Sequence, residues 1–303
     1  MKKRNFIQFL IAVWVNSYLG FLLKGGIYTG RLKNICFPGL NCYSCPAALM
    51  ACPLGILQHV MATLRTLPEV AVRGGLYLLG SLLFYGLLLG RFVCGWICPF
   101  GFIQEMFYRL PLPKISLPRR ARVLKWGLFF ILVLGLPFLH KGATGYGEVW
   151  FCRIFCPAGT LEAGVPSLLL VPQLRALIGF IFYWKVLVLT LIVVGSVLHL
   201  RFFCKIFCPL GLIYGIFNKL SLFRLRWEED SCIFCGICEN VCPMELKIPG
   251  EINSGECIRC LNCLSSCPTH SISLKASFRL ETGLDLMPLS VAEKRHASRR
   301  KDS

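Results

Sequence analysis

CGWICPFG at residues 94–101, CRIFCPAG at 152–159 and CKIFCPLG at 204–211 decide the fold, with an altered copy, CPLG, at 52–55. The first follows GGLYLLGSLLFYGLLLG (74–90), an uncharged run. Runs of about 17–25 apolar residues can cross a bilayer. Proline is favoured at the first helical position, where its missing N–H costs nothing. Each preceding cysteine then sits at a helix N-cap, where free N–H groups and the helix dipole favour a thiolate. A buried, inert cysteine beside a kinking proline would explain one such pair. Three complete C-x-x-x-C-P copies point to ligation instead, and thiolates are what iron–sulfur clusters need.

The 303 residues are 55% hydrophobic with only 15 acidic side chains, too apolar for an ordinary soluble domain. Asn5–Leu23, Gly74–Gly90 and Trp126–His140 carry no charge, and Ala176–Leu200 carries only Lys185. These runs predict an α-helical membrane protein with about four transmembrane helices. A re-entrant helix competes for the short third run. The formal charge of +18 reflects basic clusters flanking the spans: Lys2-Lys3-Arg4, Arg119-Arg120-Arg122-Lys125, Arg224 with Arg226, and the tail. Such clusters orient helices with the basic side in the cytoplasm. That reading replaces nucleic-acid binding, and it places the N-terminus inside, the 91–125 connection inside and the 142–174 connection outside. Lys2–Arg4 and the following apolar run resemble a signal peptide, but no small-x-small site follows, so an uncleaved first helix is expected. Residues 46–64 read as a helix lying at the outer surface, because Gln58, His59 and a Cys-Pro interrupt them. A fifth crossing is the competing reading.

Aligning Cys52, Cys98, Cys156 and Cys208 divides the chain into two halves, each with an outer and an inner CPxG element. Parallel duplication is a known membrane-protein plan. The expected organisation is a first membrane half (1–111), a second (112–226), a C-terminal module (227–275) and a basic tail (276–303). Pairing by side puts Cys94 and Cys98 with Cys204 and Cys208, enough thiolates for one inner [4Fe-4S] cluster. Outside, Cys152 and Cys156 need partners. Cys52 is the repeat equivalent, but Ala48 stands where its companion should be. Cys45 is the preferred substitute, with Cys42 and Cys36 as alternative outer ligands. Disulfides compete for the outer group if it faces an oxidising compartment. Zinc also fits four thiolates, although the downstream signals favour iron.

Those signals are SCIFCGICENVCPMEL (231–246) and ECIRCLNCLSSCPTHSI (256–272). Both read C-x2-C-x2-C-x3-C-P, the two-cluster bacterial ferredoxin pattern, in which the fourth cysteine serves the other cluster. One [4Fe-4S] cluster therefore takes Cys232, Cys235, Cys238 and Cys267. The other takes Cys257, Cys260, Cys263 and Cys242. With few apolar residues at hand, metal supplies much of this module's stability. LGLIYGIFNKLSLFRLRW (210–227) before it reads as an interfacial helix or as a linker.

Six residues after each CPxG cysteine come Gln58, Gln104, Glu162 and Tyr214, two of them followed by His59 and Glu105. Polar groups at membrane depth are expensive and often functional, so this register is a candidate for a quinone headgroup, with interfacial contacts as the alternative. His140 and His199 end two of the runs. A haem between them competes with interfacial anchoring, which the expected topology favours.

The chain resembles the polyferredoxin-type membrane proteins typified by the quinol-oxidising membrane subunit of periplasmic nitrate reductase systems. It is similar also to the membrane core of the regulatory and maturation protein of nitrous oxide reductase, and to the small ferredoxin-type protein of methylamine utilisation. CGWICPFG, CRIFCPAG, CKIFCPLG and the runs ending at Cys242-Pro243 and Cys267-Pro268 carry the resemblance over nearly the whole chain. It implies an electron-transfer subunit of an oxidoreductase complex in the cell inner (cytoplasmic) membrane. Its partners would be membrane quinone or quinol and a reductase or other redox protein. Supplying electrons for the maturation of a partner metalloenzyme is the alternative. Unlike some relatives, the chain has no large extracytoplasmic flavin-binding domain within these residues, and it carries the extra cysteines 36, 42, 45 and 52.

Overall fold

In the computed structural model, residues 2–21, 26–142 and 145–276 are described; the basic tail expected over 276–303 lies outside them beyond Ala276. The architecture is α-helical. Its helices, in chain order, are α1 (Lys2–Val15), α2 (Pro53–Thr63), α3 (Pro68–Leu89), α4 (Phe92–Trp96), α5 (Pro99–Phe107), α6 (Arg119–Leu139), α7 (Val165–Leu170), α8 (Phe180–Leu198), α9 (Phe202–Ile206) and α10 (Pro209–Phe217). The C-terminal module adds β1 (Phe223–Trp227), α11 (Ile237–Asn240), α12 (Asn262–Ser265) and β2 (Ile272–Ala276).

Among the described residues, α3, α6 and α8 are long and apolar enough to cross a membrane. Pro68 starts α3, Glu69 complements the dipole of its first turn, and Gly90 ends it at φ +54. In α6 the turns over Phe129–Gly135 widen to π geometry just before Pro137. A proline lacks the N–H and crowds the preceding turn, which is how it disturbs an α ladder. Lys185, the one charge in α8, turns inward and donates to the carbonyl of Cys152 at 3.3 Å.

The first expected crossing looks different. α1 has 14 residues, about 21 Å of helix, short of the roughly 30 Å hydrocarbon core. It stops where the Asn16 amide bonds back to the Ala12 carbonyl and across to Asn41. Arg4, Asn5 and Gln8 are buried on one side of α1, while Phe6, Phe9, Val13 and Trp14 face out. Helix α2, with 11 residues, is too short to cross. It packs against α3 and the end of α6.

The linker reading of 210–227 resolves into two parts. Residues 209–217 are helix α10, and residues 223–227 are β1, paired antiparallel with β2 from Phe223↔Ala276 to Trp227↔Ile272. The strand assigned to the second membrane half thus closes the C-terminal module. One continuous apolar core holds Cys36, Cys52, Cys94, Cys98, Cys156 and Cys208 together with Met244, Ile258 and Ile272. Membrane part and module therefore share one interior.

Candidate metal centres

The inner group forms around two crossed helix starts. Cys98 caps α5 and Cys208 caps α10, each followed by proline. The short helices α4 and α9 carry Cys94 and Cys204. The four cysteines line one cavity with Arg91, Phe100 and Phe203. The N–H of Gly211 donates to the Cys208 sulfur at 3.4 Å, as expected of a thiolate at a helix N-terminus.

Two buried guanidiniums flank this cavity. Arg201 donates to Glu105 at 2.6 and 2.8 Å and to the carbonyl of Cys94 at 2.5 Å. Arg91 donates to Glu256 at 2.9 Å and to the carbonyl of Gly255. A β-carbon on Gly101 would stand 2.5 Å from Arg201, and one on Gly211 would stand 2.9 Å from Arg91. Each CPxG glycine thus leaves room for the arginine of the opposite half. Buried charge is tolerated only when paired and hydrogen-bonded, as these are. Neither arginine stood out in the sequence as part of a site. The signal was present in their shared spacing, Arg-Phe-x-Cys at Arg91–Cys94 and Arg201–Cys204.

The polar register has a structural job. Gln104 accepts from the N–H groups of Phe203 (2.9 Å) and Cys204 (3.4 Å) and donates to the Cys204 sulfur at 3.1 Å. Gln58 accepts from Phe151 (2.9 Å) and Cys152 (3.4 Å) and donates to the Cys152 sulfur at 3.0 Å. Both glutamines are buried against cysteine loops and present nothing to a lipid-side headgroup. Glu162 accepts from the N–H of Cys42 at 2.6 Å, and burial raises its pKa to about 8. Tyr214 is fully buried with no partner for its hydroxyl. Glu105 is held by Arg4 and Arg201, and His59 meets the Tyr43 hydroxyl at 3.0 Å. His140 packs edge-on against Trp150, while His199 stacks on Phe202, so the two histidines sit in separate aromatic contacts.

In the outer group, Cys52 caps α2 and the Cys156 sulfur accepts from the N–H of Gly159 at 3.4 Å. The sulfurs of Cys42 and Cys156 flank Gly159, 3.7 and 3.8 Å from where its β-carbon would be. Cys152 and Cys156 both lie within electrostatic range of Cys42 and Cys52. The Cys45 sulfur faces Asn16 instead, 3.8 Å away. Cys36 lies beside Cys52, its N–H bonded to the Tyr77 hydroxyl and its strand bridged to Ala51. None of the 18 cysteines is joined to another by a disulfide in this structure.

In the C-terminal module, Cys242, Cys257, Cys260 and Cys263 line a second cavity with Met244, Leu246 and Ile258. Cys232, Cys235 and Cys238 lie toward an exposed tip, and Cys267 bonds with Ser271 at 3.2 Å and Thr269 at 3.7 Å. Those bonds outweigh burial and bring the Cys267 thiol down to about 7. The two runs coil alike. Phe234 and Gly236 have positive φ in the first, as do Arg259 and Leu261 at the matching places of the second. Glu245 and His270 repeat this three residues after each fourth cysteine. Left-handed conformations cost a side-chain-bearing residue about 1–2 kcal/mol, so their recurrence marks a loop shaped around a common kind of guest.

The module sits directly on the inner group. A β-carbon on Gly95 would stand 2.4 Å from the Ile258 carbonyl. The Trp96 indole donates to the Arg259 carbonyl at 3.0 Å, and Asn218 donates to the Cys257 carbonyl at 2.7 Å. Glu256 pairs with Arg91 and Lys125; burial opposes its charge, yet the two cations hold its carboxyl near about 2.

Among the described residues, no three Cys, His, Asp or Glu side chains converge on one ion position. Burial pushes the Cys98 and Cys152 thiols up to about 12. Such groups ionise when a bound cation supplies the missing charge.

A 4Fe-4S binding domain family model matches the chain twice, over residues 70–118 and 180–228, and a 4Fe-4S dicluster domain model matches residues 224–268. An uncharacterized protein of Methanocaldococcus jannaschii is 33% identical over 202 residues, covering 64% of this chain and 75% of that protein. Protein NirI of Paracoccus denitrificans is 31% identical over 201 residues, but the chain spans only 27% of its length. Ferredoxin-type protein NapH of Haemophilus influenzae is 23% identical over 274 residues, 85% of this chain and 83% of its own. No solved structure matches.

Proposed function

The chain belongs to the ferredoxin-type, membrane-associated iron–sulfur family that includes NapH and NirI and transfers electrons through [4Fe-4S] clusters, and from this premise we propose that it links the membrane quinone pool to a partner redox protein. The observation that carries the proposal is the stacking of two four-cysteine cavities, one in the module and one in the membrane part, across the Gly95–Ile258 contact.

Four [4Fe-4S] clusters, when bound, supply one-electron transfer without moving atoms. Cys232, Cys235, Cys238 and Cys267 would hold one, and Cys257, Cys260, Cys263 and Cys242 the next. Cys94, Cys98, Cys204 and Cys208 would hold the inner membrane cluster. For the outer cluster we assign Cys42, Cys52, Cys152 and Cys156, with Cys42 in the place first given to Cys45. The supporting observation is that Cys42 flanks Gly159 with Cys156, while Cys45 turns to Asn16.

The other residues prepare these sites. Gln58 and Gln104 fix the N–H groups of the second-half cysteine loops. Arg91 and Arg201 offset the negative charge of the inner ligands. The proposed plan is two repeated halves with about four crossings in the cell inner membrane, N-terminus and module in the cytoplasm. The twofold family match and the paired Gln58 and Gln104 contacts support the repeat. Leu40 lines the inner cavity only two residues before Cys42 of the outer group, so the two groups stand closer than opposite bilayer faces about 30 Å apart would.

Anaerobic purification with iron analysis and EPR during quinol reduction tests the proposal. Four clusters correspond to about 16 irons per chain. About half that iron, with only ferredoxin-type signals, would refute the membrane sites. Clusters that stay oxidised in the presence of quinol would refute the quinone link.

A further inference from the structure

The exposed tip of the C-terminal module gathers apolar side chains around an exposed cysteine. Ile233, Phe234 and Ile237 are 63, 48 and 40% exposed, and Cys235 among them is the exposed member of all 18 cysteines. Large apolar side chains grouped around a polar rim mark interaction sites on soluble surfaces. The rim here is acidic. Glu228, Glu229 and Asp230 are consecutive and exposed, and none forms an ion pair among the described residues. Glu105 and Glu256 behave differently, since buried cations pair with both. On a chain of +18, three adjacent free carboxylates form a local field opposite to that of the whole.

We propose that the tip at residues 228–237 is the docking surface for a soluble one-electron carrier whose redox edge is apolar and rimmed by Lys or Arg. The inference rests on the cluster assignment above, which puts a ligand, Cys235, inside the patch. Charge chooses the occupant. Anionic lipid would repel the carboxylates. A twofold contact between two copies would set these three acids against the same three acids, because an isologous interface joins like patches. A cationic rim is attracted, and the apolar centre gives the contact its short-range component. The exchange moves one electron, reducing one partner and oxidising the other, with no atom or proton transferred.

The probe is cytochrome c, a small haem protein with a lysine-ringed haem edge. It is titrated against the full, cluster-loaded chain in nanodiscs of neutral phosphatidylcholine, and binding is read by surface plasmon resonance. Binding should weaken at least tenfold between about 20 and about 200 mM salt, where the Debye length falls below the width of the patch. The triple variant Glu228→Lys, Glu229→Lys, Asp230→Lys should lose at least tenfold at low salt while its EPR signals persist. Ile233→Ser should weaken binding at high salt. Equal binding by the triple variant overturns the proposal, as does tighter binding of an acidic two-iron ferredoxin. So does a change in oligomeric mass caused by the charge reversal, which would make the tip a contact between copies. Absence of ferredoxin-type EPR signals with binding retained would instead refute the cluster assignment, so the two failures are separable.

Discussion

Removing one positive charge at the inner site should lower the potential of that site. Arg201→Gln is the perturbation. The glutamine amide nitrogen falls near the position of the Arg201 Nε, which donates to Glu105 at 2.8 Å, so the carboxylate keeps a donor. Glu105 keeps Arg4. What disappears is one buried guanidinium beside the cysteine cavity. For a separation of about 6 Å and an effective dielectric of about 20, Coulomb's law gives about 3 kcal/mol. A factor of ten, about 1.4 kcal/mol, equals 59 mV for one electron, so the upper limit is about 120 mV. Screening and relaxation bring the expected fall to about 60–120 mV. Added negative charge is harder to accommodate without the cation, so the reduced state loses more and the potential drops. The assay is an EPR-monitored redox titration of the anaerobically purified chain. The double variant Arg201→Gln, Glu105→Gln removes both signs of the pair and should recover most of the shift. A midpoint that stays within about 20 mV of wild type would refute the electrostatic role, and so would a rise.

Three further outcomes follow from the same contacts. Cys42→Ser should abolish the outer cluster's EPR signal and remove about four irons per chain, whereas Cys45→Ser should leave both unchanged; the reverse result would restore Cys45 as ligand. Gln104→Leu strands the N–H groups of Phe203 and Cys204, at about 1–3 kcal/mol for a buried unsatisfied donor. Its inner cluster should bleach faster under a chelator, with the ferredoxin pair unaffected. Gly95→Ala places a β-carbon 2.4 Å from the Ile258 carbonyl, against a practical minimum near 3.0 Å. The module must retreat, overpacking of this kind costs about 1–3 kcal/mol, and proteolysis between residues 218 and 231 should accelerate.

The contrast between the two kinds of cysteine site shows what each level of description carries. The ferredoxin ligands were legible because their spacing is local. Loops of two and three residues fix which sulfurs can share a cage, and the structure gathers Cys242 with Cys257, Cys260 and Cys263 in one cavity. The inner membrane four were legible through repetition, since equal motifs in equal places imply equal depth. The apolar runs announced α3, α6 and α8, because a long uncharged segment has few other solutions. The extent of α1 was not legible, as it ends through one side chain, Asn16, that reaches Asn41.

Sequence alone therefore determined a helical membrane part and a C-terminal two-cluster module. It could not choose between Cys42 and Cys45, because both are the same residue type a few positions apart. Only the packing of Glu162 against the Cys42 N–H and of Gly159 between two sulfurs favours the proposed Cys42. Nor could it show that Gln58 and Gln104 serve cysteine loops 93 to 100 residues away, or that Arg91 and Arg201 enter the space above each other's glycines. These are contacts between halves of the chain, and hydrogen bonds and charges act through space. The motif CGWICPFG names two ligands, and the fold supplies the cation, the amide and the second cluster that lie against them.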